Sequence, residues 1–259
     1  MGISFNCSGN STAVPKLLPL YGDTVEVFKY SRHMYFVPCA CGDSLQVTVE
    51  DAPRWVRLEQ WCDTLYRLII NAPEENNAYY TVKLRVVGRD GQMWDRDSVV
   101  VYVRRPYARF YIIESPRYWR ALLKHLDVGD LVVVRGDSFP RLTIDGLRKK
   151  AVYIRPESGY KGRIRGFDIY RSSGIDIAGF EFMRDSKPAV YVGDQSSRMR
   201  FHHNIIHARQ GSRDSVPALH ISGSAIRVDF NAHHPPLHGA GLSPTIRVEH
   251  NYRLCAEQR

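Results

Sequence analysis

No apolar run in the 259-residue chain approaches the ~20 residues needed to span a membrane. Met1 to Lys16 is polar and carries Pro15, without the charged start and apolar stretch of a leader, so neither membrane insertion nor cleavable export is expected. Cysteine is scarce: five residues at 7, 39, 41, 62 and 255, an odd number with no Cys-x-x-Cys pair, which excludes the usual signature of a structural zinc site. Without an export signal, buried reduced thiols are expected in preference to a bridge from Cys62 to Cys39 or Cys41. Acidic residues are also in deficit, 27 against 36 Lys and Arg, for a net charge of +9. That balance excludes an acidic disordered chain and favours an anionic partner. What is present is a 44% hydrophobic content, enough for one large core or two ordinary ones.

The positive charge is unevenly spread. Up to Val103 there are ten basic and twelve acidic residues, whereas 104–259 holds 26 basic and 15 acidic, and eight of the ten histidines lie between 202 and 250. The shift suggests two domains, 1–105 and 106–259, divided near Arg104 to Pro106. The first half reads as short strands between turns: Thr24 to Tyr30, Tyr35 to Pro38, Ser44 to Glu50, Leu65 to Asn71, Tyr79 to Val87 and Ser98 to Val103. Val82, Leu84, Val86 and Val99, Val101, Val103 alternate across a hairpin turn at Arg89-Asp90-Gly91, the pattern of a β-sandwich. With Trp55-Val56-Arg57-Leu58 after Asp51-Ala52-Pro53, this half resembles immunoglobulin-like or cadherin-like modules. Trp55, Trp61 and Trp94 could stack on sugars, but core or hairpin packing is the preferred reading.

One helix is signed clearly: Ser115-Pro116, then Trp119, Leu122, Leu123 and Leu126, then Gly129. Short β-type runs follow, from Leu131 to Arg135 through Thr245 to Asn251, with nothing helical between them. Four of them superpose: Ile175-x-Ile177-x-Gly179-Phe180, Met199-x-Phe201-x-His203-Asn204, Ile226-x-Val228-x-Phe230-Asn231 and Ile246-x-Val248-x-His250-Asn251. Ile177, Phe201, Val228 and Val248 are spaced by 24, 27 and 20 residues, about the length of one coil of a parallel β-helix. In such a coil the alternating apolar residues point inward, and Asn204, Asn231 and Asn251 share one corner. There their amides can bond along the stack and tolerate the backbone angles of a bend. The fold class expected is therefore all-β: an N-terminal sandwich followed by a short right-handed parallel β-helix of about five coils with an N-terminal capping helix.

From about Pro116 to Asn251 the chain resembles the pectin lyase-like superfamily of right-handed parallel β-helices, which includes chondroitinase B-like and alginate lyases and phage tailspikes. The resemblance is densest at Asp127-Val128-Gly129-Asp130-Leu131-Val132-Val133-Val134-Arg135-Gly136-Asp137. It implies a helix over the open end of the core, an extracellular or virion-borne setting although no signal peptide is visible, and action on acidic polysaccharide, in many lyases with a calcium ion held by acidic residues. Catalytic, binding and structural members share the motif, so it fixes fold better than activity.

Outward positions of the repeated strand should align in columns, with coils ~4.8 Å apart. One column is Asp176, Arg200, Arg227 and Arg247; the next is Ala178, His202, Asp229 and Glu249. As a groove, Arg200, Arg247 and Asp176 would bind substrate. His202 and Arg227 would serve β-elimination beside a uronate carboxylate, while Asp229 and Glu249 are alternatively the paired carboxylates of a glycoside hydrolase. The competing reading is a solvated, salt-bridged sheet face, and a noncatalytic adhesin or virion attachment module would use the same groove for recognition alone. His203 and His250 are expected to serve turns or the interior, and His207, His233, His234 and His238 give no metal geometry. Nucleic acid is a second candidate partner, because 21 of the 26 basic residues after 103 are arginine. It ranks lower because the charge is spread over coils without a recognition motif. Finally, the segment 252–259 offers nothing to cover the last coil, and 233–244 reads as a long loop. An uncovered end is expected in a fragment of a longer protein or in a homo-oligomer.

Overall fold

The computed structural model describes residues 16–17, 24–40, 45–62, 65–73, 78–88, 90–105, 108–183, 187–207, 219–229, 231–233, 246–249 and 251–253. Two compact units divide between Arg105 and Pro106. The first contains β1 (Lys16–Leu17), β2 (Thr24–Phe28), β3 (Arg32–Ala40), β4 (Leu45–Asp51), β5 (Val56–Cys62), β6 (Leu65–Asn71), β7 (Ala78–Gly88) and β8 (Met93–Arg104). They form two four-stranded sheets, β1-β3-β6-β5 and β2-β8-β7-β4, in which only the β2–β8 pair is parallel. The alternation in β7 and β8 does what period-two patterning requires: Val82, Leu84, Val86, Val99, Val101 and Val103 are all 0% exposed and share one core with Val37, Leu68 and Ile70. Gly91 (φ 78) turns the hairpin, and Gly88 N–H closes it on Gln92 C=O at 2.8 Å. The tryptophans pack locally: Trp55 edge-on to Tyr80, Trp61 under the Arg67 guanidinium, and Trp94 with its indole nitrogen close over Gly88. Cys39 corrects the expectation of reduced thiols: it is buried and disulfide-bonded.

The second unit opens with β9 (Phe110–Ile113), a 3-10 turn (Pro116–Tyr118) and α1 (Trp119–Leu123). Coil one is β10 (Leu131–Val134), β11 (Ser138–Phe139) and β12 (Leu142–Asp145); coil two is β13 (Arg148–Pro156), β14 (Arg163–Ile164) and β15 (Phe167–Tyr170). Coil three is β16 (Ser173–Ala178), β17 (Glu181–Phe182) and β18 (Val190–Val192); coil four is β19 (Ser197–His202), β20 (Ile205–Ile206) and β21 (Leu219–Ile221). Coil five has β22 (Ser224–Asp229) and β23 (Ala232–His233), and β24 (Ile246–Glu249) with β25 (Tyr252–Arg253) begins the next turn. Every pairing is parallel, giving three sheets: β9-β10-β13-β16-β19-β22-β24, β11-β14-β17-β20-β23-β25 and β12-β15-β18-β21. The second unit is thus a β-solenoid of about five coils, cored by Ile154, Ile177, Phe201, Val228 and their neighbours.

Four local features differ from the sequence reading. The helix stops at Leu123 because the following turn folds around the fully buried Asp130 carboxylate, which accepts from Asp127 N at 2.6 Å and from the Arg109 backbone N, Nε and Nη2. Leu126 still reaches the core, and Trp119 plugs coil one with its Nε1 donating to Thr143 C=O at 2.8 Å. Strand β9 adds an unexpected parallel partner to β10. At the corner, the asparagines do bond along the stack: Asn204 N and Nδ2 both donate to Asn231 Oδ1, and Asn231 N and Nδ2 both donate to Asn251 Oδ1. The left-handed residue, however, is the one before the corner position, Gly179 (φ 83) before Phe180 in coil three and His203 (φ 51) before Asn204 in coil four. A second ladder, missed in the sequence, runs along another corner: Ser172 Oγ accepts from Leu147 N, and Ser196 Oγ from Ser172 N. Residues 254–259 and most of the 233–244 loop lie outside the described residues.

Candidate functional site

The outer face of the seven-stranded sheet carries the charged columns. Parallel register sets Tyr153 beside Asp176, Asp176 beside Arg200, Arg200 beside Arg227, and Arg227 beside Arg247. The neighbouring column runs Ala178, His202, Asp229, Glu249. All seven residues singled out in the sequence therefore share one face, but the columns differ in access. Arg200 and Arg227 side chains are 37% and 46% exposed, and Arg247 is exposed, whereas Ala178, His202 and Asp229 are buried. The reason is reach: arginine is long enough to fold over the shorter side chains of the next column.

Asp229 is 0% exposed and held by both flanking arginines. Arg200 donates through Nε to Oδ1 at 3.0 Å and through Nη2 to Oδ2 at 2.7 Å, and Arg227 Nε reaches Oδ2 at 3.1 Å. Burial works against the charge on Arg200, but Asp229 more than compensates and its pKa is raised. Glu249, 42% exposed, sits 3.7 Å from Arg227 Nη2. Asp229 and Glu249 are thus neighbours, yet only one of them faces solvent, unlike an open carboxylate pair flanking a glycosidic bond.

A second network includes a residue the sequence reading passed over. Arg155, 4% exposed, donates through Nη1 to Ile154 C=O and Asp176 C=O and through Nη2 to Asp176 Oδ1 at 2.5 Å. His202 Nε2 meets the same Oδ1 at 2.9 Å, and His202 Nδ1 meets His203 Nδ1 at 2.8 Å. Burial would raise the Asp176 carboxyl, but Arg155 and then His202 outweigh it and hold the pKa well below the ordinary carboxylate range. Burial lowers the pKa of His202, with Asp176 pulling the other way. Both imidazole nitrogens are engaged, so His202 offers no unoccupied nitrogen as a base in this conformation. The signal for Tyr153 and Arg155 was available, since Ile154 precedes Ile177 by 23 residues. It was masked by the irregularity between Arg148 and Val152, where Ala151 is left-handed (φ 56).

Among the described residues no group of three or more His, Cys, Asp or Glu could hold a metal ion. His207 pairs with Glu181 Oε1 at 2.9 Å, while the side chains of His233, His234, His238 and His250 lie outside the described residues. Among the described residues, no helix is long and apolar enough to cross a membrane.

Burial predicts unequal effects for the two acids. Asp229→Ala should cost about 2–3 kcal/mol, because it leaves two clustered guanidinium groups without a buried counter-charge. Glu249→Ala should cost about 0.5 kcal/mol, as expected for a solvated pair. Denaturant midpoints measured side by side check this; equal losses would contradict the assigned burial.

No family model and no curated protein matches the chain. Among solved structures, two endo-fucoidan hydrolases of glycoside hydrolase family 107 align at 12% and 14% identity, with TM-scores of 0.29 and 0.26, over 44% and 39% of this chain. A protein from Bacteroides fragilis proposed to be an alpha-galactosidase aligns at 9% identity and TM-score 0.26, over 83% of this chain. The aligned parts span 19%, 18% and 52% of those proteins. Likenesses this slight transfer neither substrate nor chemistry.

Proposed function

We propose that the seven-stranded face of the solenoid binds an acidic polysaccharide through Arg200, Arg227 and Arg247, as a recognition module. The observation carrying this is the register: three arginines from successive coils stand in one column, with the Arg200 and Arg227 side chains 37% and 46% exposed and Arg247 exposed. Guanidinium forks suit carboxylate and sulfate, and an evenly spaced row suits a polymer better than a single small anion. Binding is preferred over cleavage because two of the four catalytic candidates, His202 and Asp229, are buried and hydrogen-bonded, which leaves neither the histidine base nor the carboxylate pair open to a substrate.

Membership of the pectin lyase-like superfamily is the proposed class, supported by three parallel sheets, the plugging Trp119 and the asparagine ladder. An immunoglobulin-like identity for the first unit is supported by its sheet orders, which match the ABED and CFG sheets of that fold, with β2 split off the first strand and laid parallel to the last. The disulfide at Cys39 favours an oxidising setting, extracellular or virion-borne.

Affinity electrophoresis in gels containing alginate, polygalacturonate, chondroitin sulfate or neutral dextran tests the binding. Retardation is expected in at least one acidic gel, none in dextran, with retention weakening as salt rises. Arg227→Ala and Arg247→Ala should each weaken binding about tenfold. No retardation by any polyanion would overturn the proposal. Ultraviolet-absorbing unsaturated uronate would replace recognition with lyase activity, and tighter binding to duplex DNA would redirect it to nucleic acid.

A further inference from the structure

His202 and His203 are consecutive, and in a regular strand their side chains would point to opposite faces. The left-handed conformation of His203 (φ 51) breaks that alternation and brings the two rings together at 5.0 Å between centroids, nearly perpendicular, with 2.8 Å between their Nδ1 atoms. Both residues are buried, at 6% and 8% exposure. An N···N approach this short needs one donor and one acceptor, so a single proton lies between the nitrogens.

The rest of the chain of contacts assigns that proton. An ionised Asp176 can only accept, so His202 Nε2 carries a hydrogen. Charge on His202 would face Arg155 from β13 and Arg200 on its own strand, with Asp176 from β16 as its close counter-charge. Asp229 of β22, opposite in register, is already occupied by Arg200 and Arg227. With two arginines nearby and no solvent, neutral His202 is favoured: Nε2–H toward Asp176, Nδ1 bare, and His203 Nδ1–H donating to it.

We propose that this pair is a one-proton latch at the corner of coil four, closed while a single proton bridges the two Nδ1 atoms and opened when a second arrives. With both nitrogens protonated, the contact becomes donor against donor, and the β19–β20 corner must rearrange. Arg200 lies two residues before His202 on the same strand, so the change reaches the arginine column. It rests on ring geometry alone and holds whether or not a polyanion binds there.

The sign of the linkage follows. Unfolded histidine takes its proton near pH 6.5, while folded His202 resists it, so stability is full above that pH and falls as pH drops through and below it. Ring nitrogen-15 NMR of the full chain at pH 7.5 should show His202 as the Nε2–H tautomer, His203 as the Nδ1–H tautomer, and a through-hydrogen-bond coupling between their Nδ1 nuclei. That coupling should vanish in acid at the pH where the ring shifts report a doubly protonated His202. Nε2–H tautomers on both rings without coupling, or a coupling that persists once the ring shifts report a doubly protonated His202, would overturn the latch. His203→Gly keeps the corner conformation, since Gly179 holds the equivalent place in coil three. It should flatten the loss of stability between pH 7.5 and 5; a slope equal to the parent's would also overturn it.

Discussion

Asn231→Ala is expected to destabilise the solenoid by about 4 kcal/mol, far more than loss of a surface amide. The residue is 1% exposed and makes five side-chain hydrogen bonds. Its Oδ1 accepts from Asn204 N and Nδ2, and its Nδ2 donates to Phe201 C=O at 2.9 Å, Asp229 C=O at 3.1 Å and Asn251 Oδ1 at 3.0 Å. Truncation strands the Asn204 N–H and the Phe201 carbonyl in a corner that water cannot enter, each at about 1–3 kcal/mol. Methyl-sized replacement adds a void but no partner. Thr143→Ala, exposed on coil one, should stay within about 0.5 kcal/mol. Because the chain has two compact units, the loss should appear in one unfolding transition only. Urea titration followed by circular dichroism checks it, and a loss below about 1 kcal/mol would mean the ladder is not bearing on stability.

Much of the solenoid was legible because its sequence period and its structural period are the same quantity. Ile177, Phe201 and Val228 fall in the core with Val248 packed against it, and their polar neighbours fall into the register that the spacing implies. Alternation predicted the face of a side chain but not its depth. Asp229 and His202 point away from the core and are still buried, Asp229 under Arg200 and Arg227 and His202 against Asp176 and His203. That depends on side-chain length across strands far apart in sequence, which no local pattern encodes. Arg155 was hidden for a different reason: the irregular start of β13, with Ala151 left-handed, breaks alternation upstream of it. The bend at the corner was assigned to asparagine because that residue tolerates left-handed backbone. Its amide bonds along the stack as expected, but the preceding residue turns the chain. The reduced-thiol expectation failed at Cys39 because it was inferred from the absence of an export signal, a property of sorting rather than of β3 and its neighbours.

Trp119→Ala is expected to cost about 4 kcal/mol and to act on one end of the molecule. A solenoid coil buries its apolar residues against the coils on either side, so the first coil needs something else to lie on it. Trp119 meets that need: it is 3% exposed, clusters with Val132, Val134, Leu142 and Ile144, and fixes its ring by donating Nε1–H to Thr143 C=O. Removing the indole opens a cavity beside coil one and leaves that carbonyl without its donor. Trp119→Phe should retain most of the packing and lose about 1 kcal/mol, the worth of the hydrogen bond. Coils couple mainly to their neighbours, so hydrogen exchange should accelerate most at Val132 and Ile144 in coil one and least at Phe201 in coil four. Uniform acceleration across all coils would show that the solenoid unfolds as a single unit, and that Trp119 stabilises it as a whole rather than sealing its end.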